Sequence, residues 1–200
     1  SPFRTKFDNI SSRLEGNACI GCISDADPQP LLIKSKFGTY AIAMVGMISN
    51  SKEIVDNYLK SNYGIFQTMS GNAVNCTEIL AALIDEKKTF VEGIRFAQET
   101  IEGSACILIL REDGAIIAAR DKEGRLPLVI GKRDGAFCAS FESFAFKKLG
   151  FESYKELRSA EIVEITPYGL NVLYEGVEQM KMCAFLWTYY GYPTATYEGV

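Results

Sequence analysis

Among the residue types of this 200-residue chain, the six cysteines can take part in the most kinds of reaction, because a thiolate is both a nucleophile and a soft metal ligand. They are Cys19, Cys22, Cys76, Cys106, Cys138 and Cys183. Cys19 and Cys22 have the spacing of a redox pair or of half a zinc site, but no second pair follows and no thioredoxin-like βαβ pattern surrounds them. Most of the six lie in apolar segments, where a free cysteine behaves as a small hydrophobe. We therefore expect reduced thiols and no bound metal.

The chain contains no histidine, which excludes Ser-His-Asp and Cys-His catalysis within it. A nucleophilic enzyme would need another base, such as the α-amine of an N-terminal Cys, Ser or Thr. Ser1 offers that arrangement, but it opens a polar, proline-containing lead-in, whereas such a nucleophile should open a buried strand. We expect that Ser1 is a truncation point and not a nucleophile.

Composition indicates one globular domain. At this length, 48% hydrophobic and 23% charged residues are enough to bury a sizeable core. The net charge of -4, without a Lys/Arg stripe, argues against nucleic acid as a partner. No apolar run reaches membrane-spanning length, and the first residues resemble neither a signal peptide nor a transit peptide. We expect a cytoplasmic protein with no membrane partner.

The segment 105–143 is the centre of the predicted fold. Strands over 106–110 and 115–119 flank one Asp-Gly turn, and strands over 128–130 and 136–140 flank a second. We expect this antiparallel meander to lie in one sheet. Because its strands are apolar on both faces, other layers must cover both sides.

Further strands and helices surround the meander. Asn50, Asn75 and Thr89 each precede a glutamate by three residues, which predicts three capped helices before it. The pattern also predicts strands over 18–23, 31–35, 40–48, 162–165 and 170–174, and short helices over 7–14 and 144–149. Strands, then helices, then strands predict an α+β fold, a four-layer αββα sandwich with two mainly antiparallel sheets.

Several stretches resemble the glutaminase domain of the amidophosphoribosyltransferase family. RDKEGRLPLVIGKRDG at 120–135, followed by ASFESFAFKKLGF and AEIVEITPYGL, resembles the second half of that domain. CAFLWTYYGYP at 183–193 resembles the family's junction with its phosphoribosyltransferase domain. The resemblance implies an N-terminal nucleophile hydrolase fold, in which an N-terminal cysteine hydrolyses glutamine with its own amine as the base. It also implies a first strand and helix upstream of this sequence.

The family's substrate-contacting residues have changed in this chain. Cys22 stands for a histidine of the family's Gly-His-x-Arg motif, and the Arg that grips the substrate carboxylate has no counterpart near Ser24. Val45 replaces the Asn of an Asn-Gly pair that forms the oxyanion hole, while Gly46 keeps its amide. Cys76 replaces the Asp that holds the substrate α-amino group. The resemblance thus predicts a vestigial pocket at these five positions, with no catalytic residue and no cofactor.

Two functional hypotheses remain open. In the first, a degenerate glutaminase-like domain over 1–182 has a structural or regulatory role, and residues 183–200 lead toward a phosphoribosyltransferase domain of a homo-oligomer in purine synthesis. In the second, the domain is an active amidotransferase with its nucleophile upstream of Ser1. Cys183, whose counterpart helps to hold an iron-sulfur cluster in some relatives, is expected to be a packed thiol.

Overall fold

The computed structural model of the protein describes residues 8, 10, 15–24, 27–62 and 64–199. In chain order these residues form β1 (Leu31–Ser35), β2 (Gly38–Ile48), α1 (Ser51–Asn62), β3 (Met69–Ser70), β4 (Ala73–Val74), α2 (Cys76–Asp85), α3 (Phe90–Thr100), β5 (Gly103–Arg111), β6 (Ile116–Ala119), β7 (Val129–Arg133), β8 (Ala136–Ser140), α4 (Phe144–Leu149), β9 (Glu152–Glu156), β10 (Ile162–Thr166), β11 (Gly169–Tyr174) and a π-helix (Leu186–Tyr190). The predicted helix over 7–14 falls almost entirely outside the described residues.

The strands form two packed sheets and one small hairpin. The larger sheet has the order β1-β2-β5-β6-β10-β11, and the smaller one the order β8-β7-β9. Every neighbouring pair in both sheets is antiparallel. Strands β3 and β4 pair only with each other.

Two hydrophobic cores lie on opposite faces of the larger sheet. Ile107 of β5 belongs to a core with Ile79 of α2 and Ile94 of α3. The next residue, Leu108, belongs to a second core with Ile130 of β7. Successive side chains of a strand point to opposite faces, so this buried strand supplies both cores. The helices α1 to α3 therefore cover one face of the larger sheet, and the smaller sheet covers the other.

A fourth layer covers the smaller sheet. Phe146 of α4 is buried against Gly131 of β7, where an added Cβ would lie 3.2 Å from the Phe146 ring. Gly150 ends α4 in a left-handed conformation, as its position after the predicted helix indicated. The order helix, sheet, sheet, helix confirms the predicted αββα sandwich and the α+β class.

The prediction of one continuous meander in a single sheet was wrong. The β5–β6 hairpin lies in the larger sheet, whereas the β7–β8 hairpin lies in the smaller one. The free edge of β6 pairs with β10, so that β7 has no place beside it. The chain crosses between the sheets after Arg120, at a turn in which the Asp121 carboxylate accepts hydrogen bonds from the amides of Glu123 and Leu126.

The three helix starts were predicted at the right residues, but the side chains act differently. Asn75 and Thr89 cap α2 and α3 as expected. The Asn50 side chain instead binds the connection between α3 and β5, because it accepts from the Glu102 N–H and donates to the Thr100 carbonyl. Glu78, expected to reach back to its own helix start, accepts from the amides of residues 67 and 68. Long-range contacts thus replaced two local ones.

Two smaller differences concern the strands. Residues 18–23, predicted as a strand, are irregular, and β9 was not predicted. Strand β9 reads Glu-Ser-Tyr-Lys-Glu, with no apolar alternation to reveal it. Within the described ranges, no helix has the length and apolarity needed to cross a membrane.

Candidate functional site

The loop before β1 connects strand β2 to the N-terminus of α2. Gln29 Oε1 accepts hydrogen bonds from the Met44 N–H at 2.8 Å and from the Thr77 hydroxyl at 3.2 Å. Val45 follows Met44, and Cys76 precedes Thr77. These two predicted pocket positions therefore lie on elements that one glutamine side chain holds together.

Asp27 of the same loop caps the N-terminus of α2. Its Oδ2 accepts from the Cys76 N–H at 3.2 Å, and the Asn75 side chain donates to the Pro28 carbonyl at 3.0 Å. Asn75 also accepts from the Thr77 N–H at 2.8 Å. A carboxylate at this point satisfies a free helix amide and interacts favourably with the helix dipole. Asp27 thus brings a carboxylate to Cys76 from 49 positions away in the sequence.

The thiol of Cys76 is neutral at physiological pH. Burial raises its pKa, and Asp27 raises the pKa further through its charge and through a side-chain hydrogen bond. A neutral thiol cannot supply the negative charge of the aspartate that the resemblance predicts at this position. Asp27, not Cys76, is therefore the anion at this helix end.

Ser24 and Cys22 lie in the irregular segment that leads into this loop. Ser24 Oγ accepts from the Asp27 N–H at 3.1 Å, so Ser24 is connected to Cys76 through Asp27. Cys22 is half-buried, and burial raises the pKa of its thiol. In the described part of the chain, Cys22 stands outside this set of contacts.

Gly46 lies where β2 and β5 approach unusually closely. Its φ is +145°, and a Cβ built on it would lie 2.0 Å from the Ser104 carbonyl oxygen. Gly103 pairs with Ile48, and a Cβ built on it would likewise lie 2.0 Å from the Met47 carbonyl oxygen. Only glycine fits these two positions. Gly46 is exposed, and the half-buried Val45 beside it has no side-chain donor.

The described residues contain no group of three or more Cys, His, Asp or Glu that could hold a metal ion. The six cysteines are all free thiols, and Cys183 is half-buried. Cys106 is fully buried, and its pKa is raised first by burial and then by the Asp121 charge. The expectation that this chain binds no metal stays a prediction.

Removing the Asp27 charge should make Cys76 more reactive. In Asp27→Asn the amide oxygen can still accept from the Cys76 N–H, but the charge that raises the thiol pKa is gone. We expect Cys76 alkylation by iodoacetamide at pH 7.5 to accelerate about two- to fivefold, because the thiolate is the reacting species. Peptide mapping by mass spectrometry measures the rate. Cys22 is the internal control, since only burial raises its pKa, and equal acceleration of both thiols would contradict the assignment.

Comparison with known proteins identifies the family. Residues 16–148 match a family model described as a glutamine amidotransferase domain. The chain belongs to this glutamine amidotransferase domain family. It is 27% identical over 173 residues to the amidophosphoribosyltransferase of Archaeoglobus fulgidus, an alignment that covers 86% of this chain and 37% of that protein. It is 27% identical over 201 residues to the Bacillus subtilis amidophosphoribosyltransferase, covering 94% and 41%.

Solved structures give the same relationship. The glutamine phosphoribosylpyrophosphate amidotransferase from B. subtilis, complexed with ADP and GMP, matches with a TM-score of 0.74 and 26% identity, over 87% of this chain and 38% of that one. A structure described as the allosteric regulatory enzyme of purine biosynthesis matches with a TM-score of 0.74 and 27% identity, over 88% and 37%. The amidotransferase domain family and its fold are thereby confirmed. The chain spans about two fifths of the length of these relatives.

Proposed function

We propose that this amidotransferase domain has lost glutamine hydrolysis and has a structural or regulatory role beside a phosphoribosyltransferase domain in purine synthesis. The observation that carries the proposal is the N-terminus of α2. There the chain's own Asp27 accepts from the Cys76 amide, while Cys76 remains a neutral thiol. The helix end that anchors a substrate amine in the family is thus occupied by an internal contact.

The chemistry of the remaining positions supports the proposal. Val45 has no side-chain donor, so one of two oxyanion-hole donors is missing, and such a loss costs about 10²-fold or more in rate. The hydroxyl of Ser24 cannot replace a bidentate arginine clamp on a carboxylate. Each lost charge-assisted contact weakens glutamine binding by roughly 1.5–3 kcal/mol. Together these losses place glutamine turnover out of reach.

A second function is favoured by the same loop. The Asp27 carboxylate lies beside Cys76, the position at which the resemblance predicts the family's aspartate. In an active enzyme with its nucleophile upstream of Ser1, Asp27 would hold the α-amino group of glutamine from a different chain position. This alternative predicts that Asp27 is a binding residue, whereas the first proposal makes it a structural cap.

The partner domain is inferred from the relatives and from the C-terminal segment. The amidophosphoribosyltransferases named above extend well beyond the matched region, which makes up 37–41% of their length. Residues 183–200 are proposed to connect this domain to such a portion. Phe185, Tyr189 and Tyr192 are exposed there, and exposed aromatic side chains within a short segment are typical of a contact surface. Homo-oligomerisation stays a prediction.

Glutamine hydrolysis by the full-length protein decides between the two functions. We expect glutamate release from millimolar glutamine to equal the protein-free control, and any phosphoribosylamine synthesis to depend on added ammonia. Turnover that a thiol-alkylating reagent abolishes would reject the first proposal. In that event Asp27→Asn should raise the KM for glutamine about tenfold or more, because a charge-assisted contact to the substrate amine is lost. Lys34→Gln, on the exposed edge strand β1, is a control that leaves the loop contacts intact.

A further inference from the structure

The segment 192–198, here called the strap, is docked on the β8–α4 turn. The Tyr192 ring stacks on the Phe144 ring with centroids 4.1 Å apart. The Thr196 N–H donates to Ser143 Oγ at 2.8 Å, and that hydroxyl donates back to the Thr196 carbonyl at 3.2 Å. Tyr197 is only 5% exposed. The strap is thus held by a ring stack and a pair of hydrogen bonds to one hydroxyl.

Glu198 connects the strap to a buried cluster of charged residues. Its carboxylate accepts from Arg120 Nη2 at 2.5 Å, and Arg120 is only 2% exposed. Its amide donates to Glu156 Oε2 at 2.9 Å. Glu198 has a φ of +50°, a left-handed conformation that is unfavourable for a residue with a side chain. The contacts of Glu198 must therefore offset a local backbone cost.

Two carboxyl groups meet in this cluster. The Glu198 amide binds one oxygen of the Glu156 carboxyl, and the other, Oε1, is buried with no partner among the described residues. An ionised Glu156 can only accept, so it cannot bond to a second carboxylate. A protonated Glu156 can donate its O–H to Glu198, which satisfies the orphan oxygen. Burial and the Glu198 charge raise the pKa of Glu156 to about 7, against a smaller opposing effect of Arg120.

We propose that the strap is a proton-linked latch, in which docking takes up a proton that Glu156 shares with Glu198, and release of the strap gives that proton up. The groups facing Glu156 are Glu198 on the strap and Arg120 on the crossover between the sheets. Nearby, Glu142 accepts from the Tyr197 hydroxyl. Lys155 of β9 is paired with the buried Glu161.

The sign of the pH dependence follows from the two states. In the docked state Glu156 keeps its proton up to a pH of about 7, whereas a released, solvated Glu156 returns toward its ordinary pKa of 4.5. Between these values the docked state holds one proton more than the released state. Docking is therefore strongest at and below pH 4.5, weakens as the pH rises toward 7, and changes little above it.

The latch makes the docking of the segment proposed to connect the domain to its partner portion depend on pH. Arg120, which Glu198 contacts, begins the crossover that joins the two sheets. Docking of the strap thus fixes this segment relative to the core, and release frees it. The inference concerns the strap alone and is independent of whether the pocket hydrolyses glutamine.

Hydrogen exchange of the Thr196 and Glu198 amides in the full-length protein tests the latch. After correction for the intrinsic pH dependence of exchange, we expect protection of both amides to fall by up to about tenfold from pH 6 to pH 8. In Glu156→Gln, which keeps an acceptor for the Glu198 amide but cannot ionise, protection should stay high at both pH values. Glu142→Gln, which alters another glutamate that the strap contacts, should keep the wild-type pH dependence.

The latch is refuted if protection of these amides in the wild type does not change with pH. It is also refuted if the pH dependence persists in Glu156→Gln. A carbon-13 NMR titration of the Glu156 carboxyl in the unmodified protein gives a reading that needs no variant. A midpoint near pH 7 supports the latch, and a midpoint near 4.5 refutes it.

Discussion

Replacing Arg120 with methionine is expected to lower the free energy of unfolding by about 3–5 kcal/mol, the range typical of removing one partner from a buried charged network. The Arg120 guanidinium is almost fully buried and donates to the carbonyl oxygens of Gly124, Leu126 and Leu157 as well as to Glu198. Methionine fills part of the volume but has no donor. Three carbonyl oxygens and one carboxylate therefore lose the Arg120 donor at once.

Urea unfolding of the wild type and the variant, monitored by circular dichroism, measures this loss. Arg125→Met is the matched control, because Arg125 lies five residues on and pairs with Glu123 at the surface. A surface pair of this kind contributes about 0–1 kcal/mol. Glu198→Gln separates the strap contribution, since it removes the ion pair and leaves the three carbonyl bonds. If Arg120→Met and Arg125→Met cost the same, Arg120 does not hold the crossover together.

The elements predicted well from the sequence are those whose signals are local. Strand β1 and helix α4 have the predicted bounds, because apolar residues, a turn and a terminal glycine mark them within a few positions. The hairpin β7–β8 was placed by its Asp-Gly turn in the same way. Each of these features depends on backbone preferences that neighbouring residues determine.

The errors come from contacts between distant residues. The two hairpins of the segment 105–143 looked alike in sequence, and only the pairing of β6 with β10 decides that they lie in different sheets. Glu78 fits a capping box, but the amides of the preceding loop bind its carboxylate instead. Periodicity and turn chemistry carry no information about such partners.

In the candidate site, too, local motifs were recognised in the sequence and a contact between distant residues was missed. The family resemblance included Val45, Gly46 and Cys76 in the predicted pocket, because these positions stand inside recognisable motifs. It did not find Asp27, which the sequence presents only as a turn residue and which contacts Cys76 from 49 positions away. A contact between residues so far apart in the chain leaves no signal in a comparison of local motifs. The contact between Asp27 and Cys76 therefore became visible only in the structure.

Replacing Gly46 with alanine is expected to cost about 3–5 kcal/mol of unfolding free energy, because the new methyl group meets backbone and not a movable side chain. Its Cβ would lie 2.0 Å from the Ser104 carbonyl oxygen and 3.1 Å from the Ala105 Cα. At a φ of +145°, an L side chain is also strained whatever the space. Relief requires β2 to move away from β5, and these two strands form the longest pairing in the larger sheet.

Gly135→Ala is the control for this experiment. Gly135 also has a positive φ, +69°, but no atom lies within 4 Å of its added Cβ, so only the conformational cost of about 1–2 kcal/mol applies. The difference between the two variants in urea unfolding isolates the steric term at the β2–β5 junction. Gly103→Ala, which meets the Met47 carbonyl oxygen at the same 2.0 Å, should resemble Gly46→Ala. Equal costs for Gly46→Ala and Gly135→Ala would show that β2 and β5 separate easily, and that the Gly46 amide is not held in a rigid position at the candidate site.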